Sequence, residues 1–279
     1  MDSNFREEVQ MINLLKEKAL WVRKETLRIH KIAPETRIAS SLSDVEIFVA
    51  LYYGGILRFD PKNTDCEHRD RFVISKGHGA ISLYPILADL GFFGKESLEN
   101  VCGKGSFLGG IPDIIIPGFE TTNGSLGHGL GVASGIAFAL RNRCSDSKIF
   151  VLAGDGELFE GSVWEAIMFA AGQKLDNLIL IIDNNKISML DYCKEIIDIS
   201  PLEEKFSAFN WDVRVVDGHD VEEVYNSLNI LKEEKGRQPK VLIANTIKGK
   251  GVPQLEKDSL CHVRSLNSEE VKAAIEGLQ

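Results

Sequence analysis

Two nearly continuous apolar runs, KIFVLAG (148–154) and NLILIIDNN (177–185), constrain the fold most. A strand that is apolar at successive positions has to be covered on both faces, which is the signature of a parallel sheet inside helical layers. The residues between them, Glu160 to Gly172, read as a helix, so the segment is a strand–helix–strand unit with parallel strands. WDVRVVDG (211–218) and KVLIANTI (240–247) read as two more strands, with a helix over about 221–234 between them. RFVIS (71–75) is a further strand, leading through a Gly-His-Gly turn into a helix from about Ala80 to Leu90. Ahead of these, residues 6–32 carry Leu14, Leu15, Ala19, Leu20, Val22 and Leu27 at mostly helical spacing, which predicts an amphipathic helix. Ser43 with Glu46 has the pattern of a capping box opening a helix over Val45–Tyr53. Residues 103–118 are rich in Gly and Pro and predict an irregular loop, and 121–140 pass from a glycine turn into a small-residue helix. The expected class is α/β: a doubly wound, mostly parallel sheet with helices on both faces, in one domain over 1–279 whose residues from about 250 form a C-terminal arm.

Charge and cysteine content narrow the function. A net charge of −9 argues against a nucleic-acid footprint, which needs a basic face. Cys66, Cys102, Cys144, Cys193 and Cys261 are scattered and never form a CxxC pair, so reduced thiols in a cytoplasmic protein are expected rather than a zinc site or disulfide framework. The N-terminal MDSNFREEVQ lacks the apolar stretch of a signal peptide, and no apolar run is long enough to span a membrane.

In sheets of this kind ligands bind beyond the carboxyl ends of the strands. Two polar clusters fall there: Gly154-Asp155-Gly156 after the first apolar strand, and Asp183-Asn184-Asn185 after the second. Either alone reads as a turn. Together, on adjacent parallel strands, they bring Asp155 and Asn185 to one place although they are thirty positions apart. A carboxylate, an amide oxygen and a backbone carbonyl are hard ligands that suit Mg²⁺, with phosphate and water oxygens completing the octahedron. Gly154 and Gly156 would let a diphosphate approach the backbone, and a following helix N-terminus would favour that anion. No G-x-G-x-x-G opens the first helix, and GKGS (103–106) is an incomplete P-loop, so nicotinamide and nucleoside-triphosphate sites are poorly supported.

The segment GDGELFEGSVWEAIMFAAGQKLDNLILIIDNNKIS (154–188) resembles the thiamine diphosphate motif, GDG followed about thirty residues later by NN. RDRFVISKGHGAISLY (69–84), ETTNGSLGHGLGVASGIAFAL (120–140), VVDGHD (215–220) and NTIKGKGVP (245–253) resemble segments of the diphosphate-binding half of transketolase, over about residues 10–265. The resemblance implies that Asp155, Asn185 and the carbonyl of Ile187 hold Mg²⁺, that Gly156 lies at the diphosphate, and that Gly154 and Glu157 are among the cofactor-binding residues. It implies that His78 reaches toward the diphosphate and the reacting centre, that Gly124, Ser125 and Leu126 meet the aminopyrimidine, and that His262 stands near the diphosphate and substrate. Glu160, expected in a catalytic role, and Glu165, expected near the cofactor, match acids that meet another subunit. His219 reads as a turn residue, and His30 and His68, in charged stretches, as solvated.

Full transketolases are about twice this length and carry a pyrimidine-binding domain, with the glutamate that activates the cofactor, and a C-terminal domain. The resemblance therefore implies a separately encoded partner subunit supplying those parts, in an α2β2 assembly, and an enzyme active only with that partner. It would move a two-carbon ketol or acyl unit from a ketose or keto-acid donor to an aldehyde.

Two departures bear on the donor. The family's SGHPGGSLS is here ETRIASSLS (35–43), placing Arg37 where a substrate-facing histidine is expected. Its LQGHPD is here LGGIPD (108–113), so Ile111 replaces a second one. Isoleucine cannot bond a sugar hydroxyl, whereas Arg37 could bind an anion bidentately or simply lie on the surface. This leaves open a less hydroxylated or more anionic donor such as pyruvate, and a non-catalytic scaffold derived from the family. 1-Deoxyxylulose-phosphate synthase has a similar GDG…NN motif, but the GSLGHG and SKGHG surroundings favour transketolase.

Overall fold

A computed structural model describes residues 3–278. Five parallel strands form the sheet: β1 (Arg71–Ile74), β2 (Ile149–Gly154), β3 (Leu178–Asn184), β4 (Asp212–Asp217) and β5 (Lys240–Asn245). Their spatial order is β1-β2-β3-β5-β4. The helices are α1 (Ser3–Ile32), α2 (Ile38–Leu42), α3 (Val45–Tyr52), α4 (Leu83–Leu90), α5 (Gly129–Asn142) and α6 (Gly161–Gly172), then α7 (Cys193–Ile196), α8 (Leu202–Ala208), α9 (Val221–Glu233), α10 (Pro253–Glu256) and α11 (Ser268–Gly277). The expected class holds: an α/β sheet, parallel throughout, sandwiched by helices.

Strand side chains alternate between faces, and this splits the core in two. Phe150, Leu152, Ile179, Ile181 and Leu242 point into one layer with Leu15, Phe48, Tyr84 and Val224, from α1, α3, α4 and α9. Val151, Ala153, Leu180, Ile182 and Val241 point into the other with Ala133, Ala137, Ile167 and Phe206, from α5, α6 and α8. A third cluster joins Leu27, Ile38 and Leu42 to Ile187 and to Val252, Leu255, Cys261 and Val271, so the C-terminal arm packs on α1, α2 and the turn after β3.

Register brings the functional ends level. Gly154 of β2 pairs with Asp183 of β3, and Asp183 pairs with Ala244 of β5. The chain therefore leaves all three strands at one rim.

Two expectations fail. Ser43 and Glu46 form no capping box: Asp44 is the N-cap of α3 and makes no side-chain cap bond. The Ser43 hydroxyl instead donates to Ser40 O and Asp183, and Glu46 pairs with Arg23 and His219. Tertiary partners outcompete the local cap. His30 is buried rather than solvated. Its Nδ1 bonds the Thr36 hydroxyl at 2.8 Å and its Nε2 accepts from the Leu266 N–H at 3.0 Å, so it clasps the C-terminal arm. Burial drives its pKa down to about 4, against a weaker upward pull from Glu35. The helix expected over Glu160 to Gly172 is α6, Gly161–Gly172 with Glu160 as its N-cap, and a 3-10 turn over Asp155–Phe159 joins it to β2. His68 is exposed and His219 lies in a turn, as expected.

Candidate active site at the carboxyl ends of the strands

Asp155 follows β2 and Asn185 follows β3, and both are buried. The Asp155 carboxylate accepts from the Gly156 N–H at 2.7 Å and from the Lys186 N–H, which presses it against the 185–187 turn. Lys186 takes a φ of 66°, and this left-handed residue folds the chain sharply back. Asn185 Oδ1 accepts from the Ile187 N–H at 3.1 Å. Gly156 leaves room where a side chain could not fit easily: a Cβ there would come within 3.3 Å of the Ser188 Cβ.

The electrostatics of this cradle suit a cation. Asp155 forms no ion pair among the described residues, and burial, helped by Asp183, raises its pKa to about 6. A bound divalent ion would return it to the ionised state. The Ile187 carbonyl already accepts from a cation, the buried Lys248 ammonium, at 2.7 Å, and the Ser188 carbonyl does so at 3.1 Å. The donor set is one carboxylate, one amide and backbone carbonyls. It fits a Mg²⁺ that shares its shell with phosphate oxygens and water. The described residues hold no group of three or more His, Cys, Asp or Glu side chains able to bind a metal unaided.

Two imidazoles flank the cradle. His78 and His262 lie edge to face with ring centroids 5.1 Å apart, although 184 positions separate them in the chain. His262 Nδ1 bonds the Ser40 hydroxyl at 3.2 Å, and the Ser41 hydroxyl donates to the His78 carbonyl at 2.8 Å. Burial holds His78 below its ordinary range, with Arg37, Lys76 and Lys248 pushing the same way. Burial, then Lys248 and His78, bring His262 down to about 3. Both rings are therefore neutral at neutral pH. Arg37 immediately precedes α2, half-buried, and its charge is felt by both histidines. Its guanidinium has no hydrogen bond or ion pair among the described residues.

Gly124, Ser125 and Leu126 form an exposed loop before α5. Ile111 overhangs it: a Cβ on Gly124 would meet Ile111 Cδ1 at 2.9 Å. The loop is held from beneath by Glu157, which is buried. The Glu157 carboxylate accepts from Gly127 N at 2.9 Å, from the Ser75 hydroxyl and from Gly154 N at 3.4 Å. The carboxylate of Glu157, expected among the cofactor-binding residues, is turned inward as a brace between the loop and β2. Glu160 is exposed against Gly127, where a Cβ would lie 2.7 Å from its own. Glu165 is exposed on α6, away from these contacts.

Sequence reasoning passed over Lys76, Lys248 and Ser40, and gave Asp183 no role beyond its place in the polar cluster at the end of β3. Both lysines lie within quoted motifs, SKGHG and NTIKGKG, yet nothing local marks a lysine as buried.

The family model for transketolase, thiamine diphosphate binding domain, matches residues 38–278. The 6-deoxy-6-sulfo-D-fructose transketolase subunit SqwG of Clostridium sp. (strain MSTE9) is 39% identical over 87% of this chain and 88% of its own length. One of the apulose-4-phosphate transketolase subunits, from Actinobacillus succinogenes, is 39% identical over 95% of this chain and 96% of its own. The crystal structure of Campylobacter jejuni transketolase superposes with a TM-score of 0.88 at 33% identity, covering 95% of this chain but only 42% of that one. The chain thus spans less than half of that whole transketolase and nearly all of the two subunit relatives. It belongs to the transketolase family, as a thiamine diphosphate-binding domain.

Proposed function

We propose that this chain is the diphosphate-binding subunit of a split transketolase, moving a two-carbon ketol unit from a ketose-type donor to an aldehyde with thiamine diphosphate and Mg²⁺. The observation that carries the reading is the buried Asp155 carboxylate, without an ion pair among the described residues, set against the Asn185–Ile187 turn at the ends of β2 and β3. When bound, thiamine diphosphate supplies the nucleophilic carbon that opens the bond beside the donor carbonyl.

The chain's own residues would hold the metal and the diphosphate and take up a proton. Asp155, Asn185 and the Ile187 carbonyl hold the metal. Lys248, His78 and the backbone at Gly154 and Gly156 receive the diphosphate, and the 124–126 loop supports the aminopyrimidine. Cleavage next to the carbonyl turns a hydroxyl-bearing carbon into an aldehyde, so that hydroxyl must give up its proton. A neutral imidazole can accept it, and burial keeps His78 and His262 neutral. An anion bound beside Arg37, Lys76 and Lys248 would raise both pKa values and make the rings better bases. Arg37 and Ile111 form the donor-facing rim. The sulfo and phosphate groups in the names of the two subunit relatives favour an anionic ketose over pyruvate.

The activating glutamate and the rest of the site come from a separately encoded partner, in an α2β2 assembly. An uncovered apolar face supports this: Val132 on α5 and Met168 and Phe169 on α6 are exposed, beside Gly131 and Gly135 with open space above them. Glu160 and Glu165 border that face. We place the protein in the cytoplasm. None of its five cysteines is in a disulfide, and no described helix is long and apolar enough to cross a membrane.

The test is reconstitution. The purified chain alone should show no ketol transfer, and adding the partner subunit should restore turnover of an anionic ketose with an aldehyde acceptor. Full turnover by the chain alone would sink the split architecture.

A further inference from the structure

Behind the metal cradle lies a buried ionic knot that the proposed reaction does not use. Asp183, the penultimate residue of β3, is fully buried. Its Oδ2 accepts from Asn185 Nδ2 at 2.6 Å, from the Ser43 hydroxyl at 2.9 Å and from the Lys76 ammonium. Its Oδ1 accepts from the Thr246 hydroxyl. Lys76 Nζ also contacts both oxygens of Asp44 at 3.0 Å, the Ser43 hydroxyl at 3.0 Å and the Ser40 carbonyl at 2.9 Å. Every member of the knot is buried.

An asparagine amide has one accepting and one donating end of nearly equal size, so shape alone cannot orient it. Only its hydrogen bonds can, and a metal tolerates one orientation. An ionised carboxylate is acceptor-only, so Asp183 can be satisfied only by the NH₂ end of Asn185. That turns Oδ1 toward the 185–187 turn. Isolated, a carboxylate buried this deeply would be costly; Lys76 supplies its countercharge. The same ammonium grips Ser40, whose hydroxyl meets His262, so one cation braces both the metal end and the histidine end of the cradle.

We propose that Asp183, charge-balanced by Lys76, is a positioning residue that fixes the Asn185 amide with its oxygen toward the divalent cation. This rests on the reading of Asp155 and Asn185 as the metal site.

The experiment titrates Mn²⁺ into the assembled enzyme in the presence of thiamine diphosphate, following free Mn²⁺ by electron paramagnetic resonance. Asp183→Leu removes the orienting acceptor and leaves Lys76 paired with Asp44. It should weaken Mn²⁺ binding by about 10–100-fold, as loss of a partner behind a metal ligand commonly does. Adding Asn185→Asp to that variant should restore most of the loss, because a carboxylate presents oxygen whichever way it turns. A merely structural role for Asp183 would not be rescued in this way. Unchanged binding in Asp183→Leu, or a loss that Asn185→Asp does not recover, overturns the proposal. Asp155→Ala separates the two readings. If it binds Mn²⁺ like the wild type, the metal site itself is wrong; if it loses Mn²⁺ while Asp183→Leu keeps it, only the positioning claim falls. Should Asp183→Leu not fold, the swap Asp183→Asn with Asn185→Asp keeps the net charge. Retained binding in the swap supports the proposal, and lost binding overturns it.

Discussion

Asp155 and Arg37 face the same rim of the sheet but are held in opposite ways. Asp155 is buried, and backbone N–H groups fix its carboxylate against the next strand's turn. Arg37 is half-buried at the start of a five-residue helix, its guanidinium without a partner among the described residues and beside two neutral histidines. A group held on every side has its geometry set before any ligand arrives. A charge left unpaired in a partly desolvated place gains most from an incoming counter-ion. On the proposed function, the cofactor end would be built for one ligand, and the rim at Arg37 would be where substrate identity is decided.

The largest effect that could break this contrast is at Asp155. Asp155→Ala should abolish Mg²⁺-dependent binding of thiamine diphosphate in calorimetry, and wild-type affinity would remove the metal assignment. Lys248→Met comes next. Losing charge-assisted hydrogen bonds should cost about 1.5–3 kcal/mol of cofactor affinity. Lys248 now bonds the Ile187 and Ser188 carbonyls, so a titration showing no weakening would assign it to the backbone alone.

Arg37→Leu tests the other end. The KM for an anionic donor should rise roughly tenfold while the affinity for thiamine diphosphate stays put, since one charge-assisted contact is lost. A parallel fall in cofactor affinity would merge the two ends into one. Installing histidine at both Arg37 and Ile111 should shift the preference toward neutral hydroxylated ketoses, read as a ratio of kcat/KM values.

The smallest effect is in pH. Asp155 titrates at about 6 without metal, so protons compete with Mg²⁺ below that value. Metal affinity should fall on acidification below pH about 6, by up to about tenfold per unit. In the metal-free chain the sign for stability is reversed. Raised above its ordinary value, this carboxyl stabilises the fold fully below pH about 4 and loses that contribution as pH rises through about 6. A metal affinity that stays flat between pH 7 and 5 would show that Asp155 is not the titrating ligand.

Much of the cofactor end was legible in the sequence. Continuous apolar strands announce a parallel sheet, and glycine, aspartate and asparagine immediately after them announce a rim where backbone and ligand meet. The pairing of His78 with His262 followed only from the family resemblance, since no spacing rule joins residues so far apart. Glu157 lies in the motif, and only the structure shows that its carboxylate braces the 127 loop from inside.

The sequence by itself determined the sheet, its two-sided burial and the placing of Asp155 near Asn185, because strand periodicity and short strand–helix–strand connections act over a few tens of residues. Tertiary structure alone decided the rest. Lys76 meets Asp183 across 107 positions, Ser43 meets it across 140, and His30 clasps Leu266 across 236. Such contacts depend on how whole layers pack. A buried lysine and a solvated one look alike in a sequence, and only the packing of the third hydrophobic cluster brings the C-terminal arm, with His262, to the cradle.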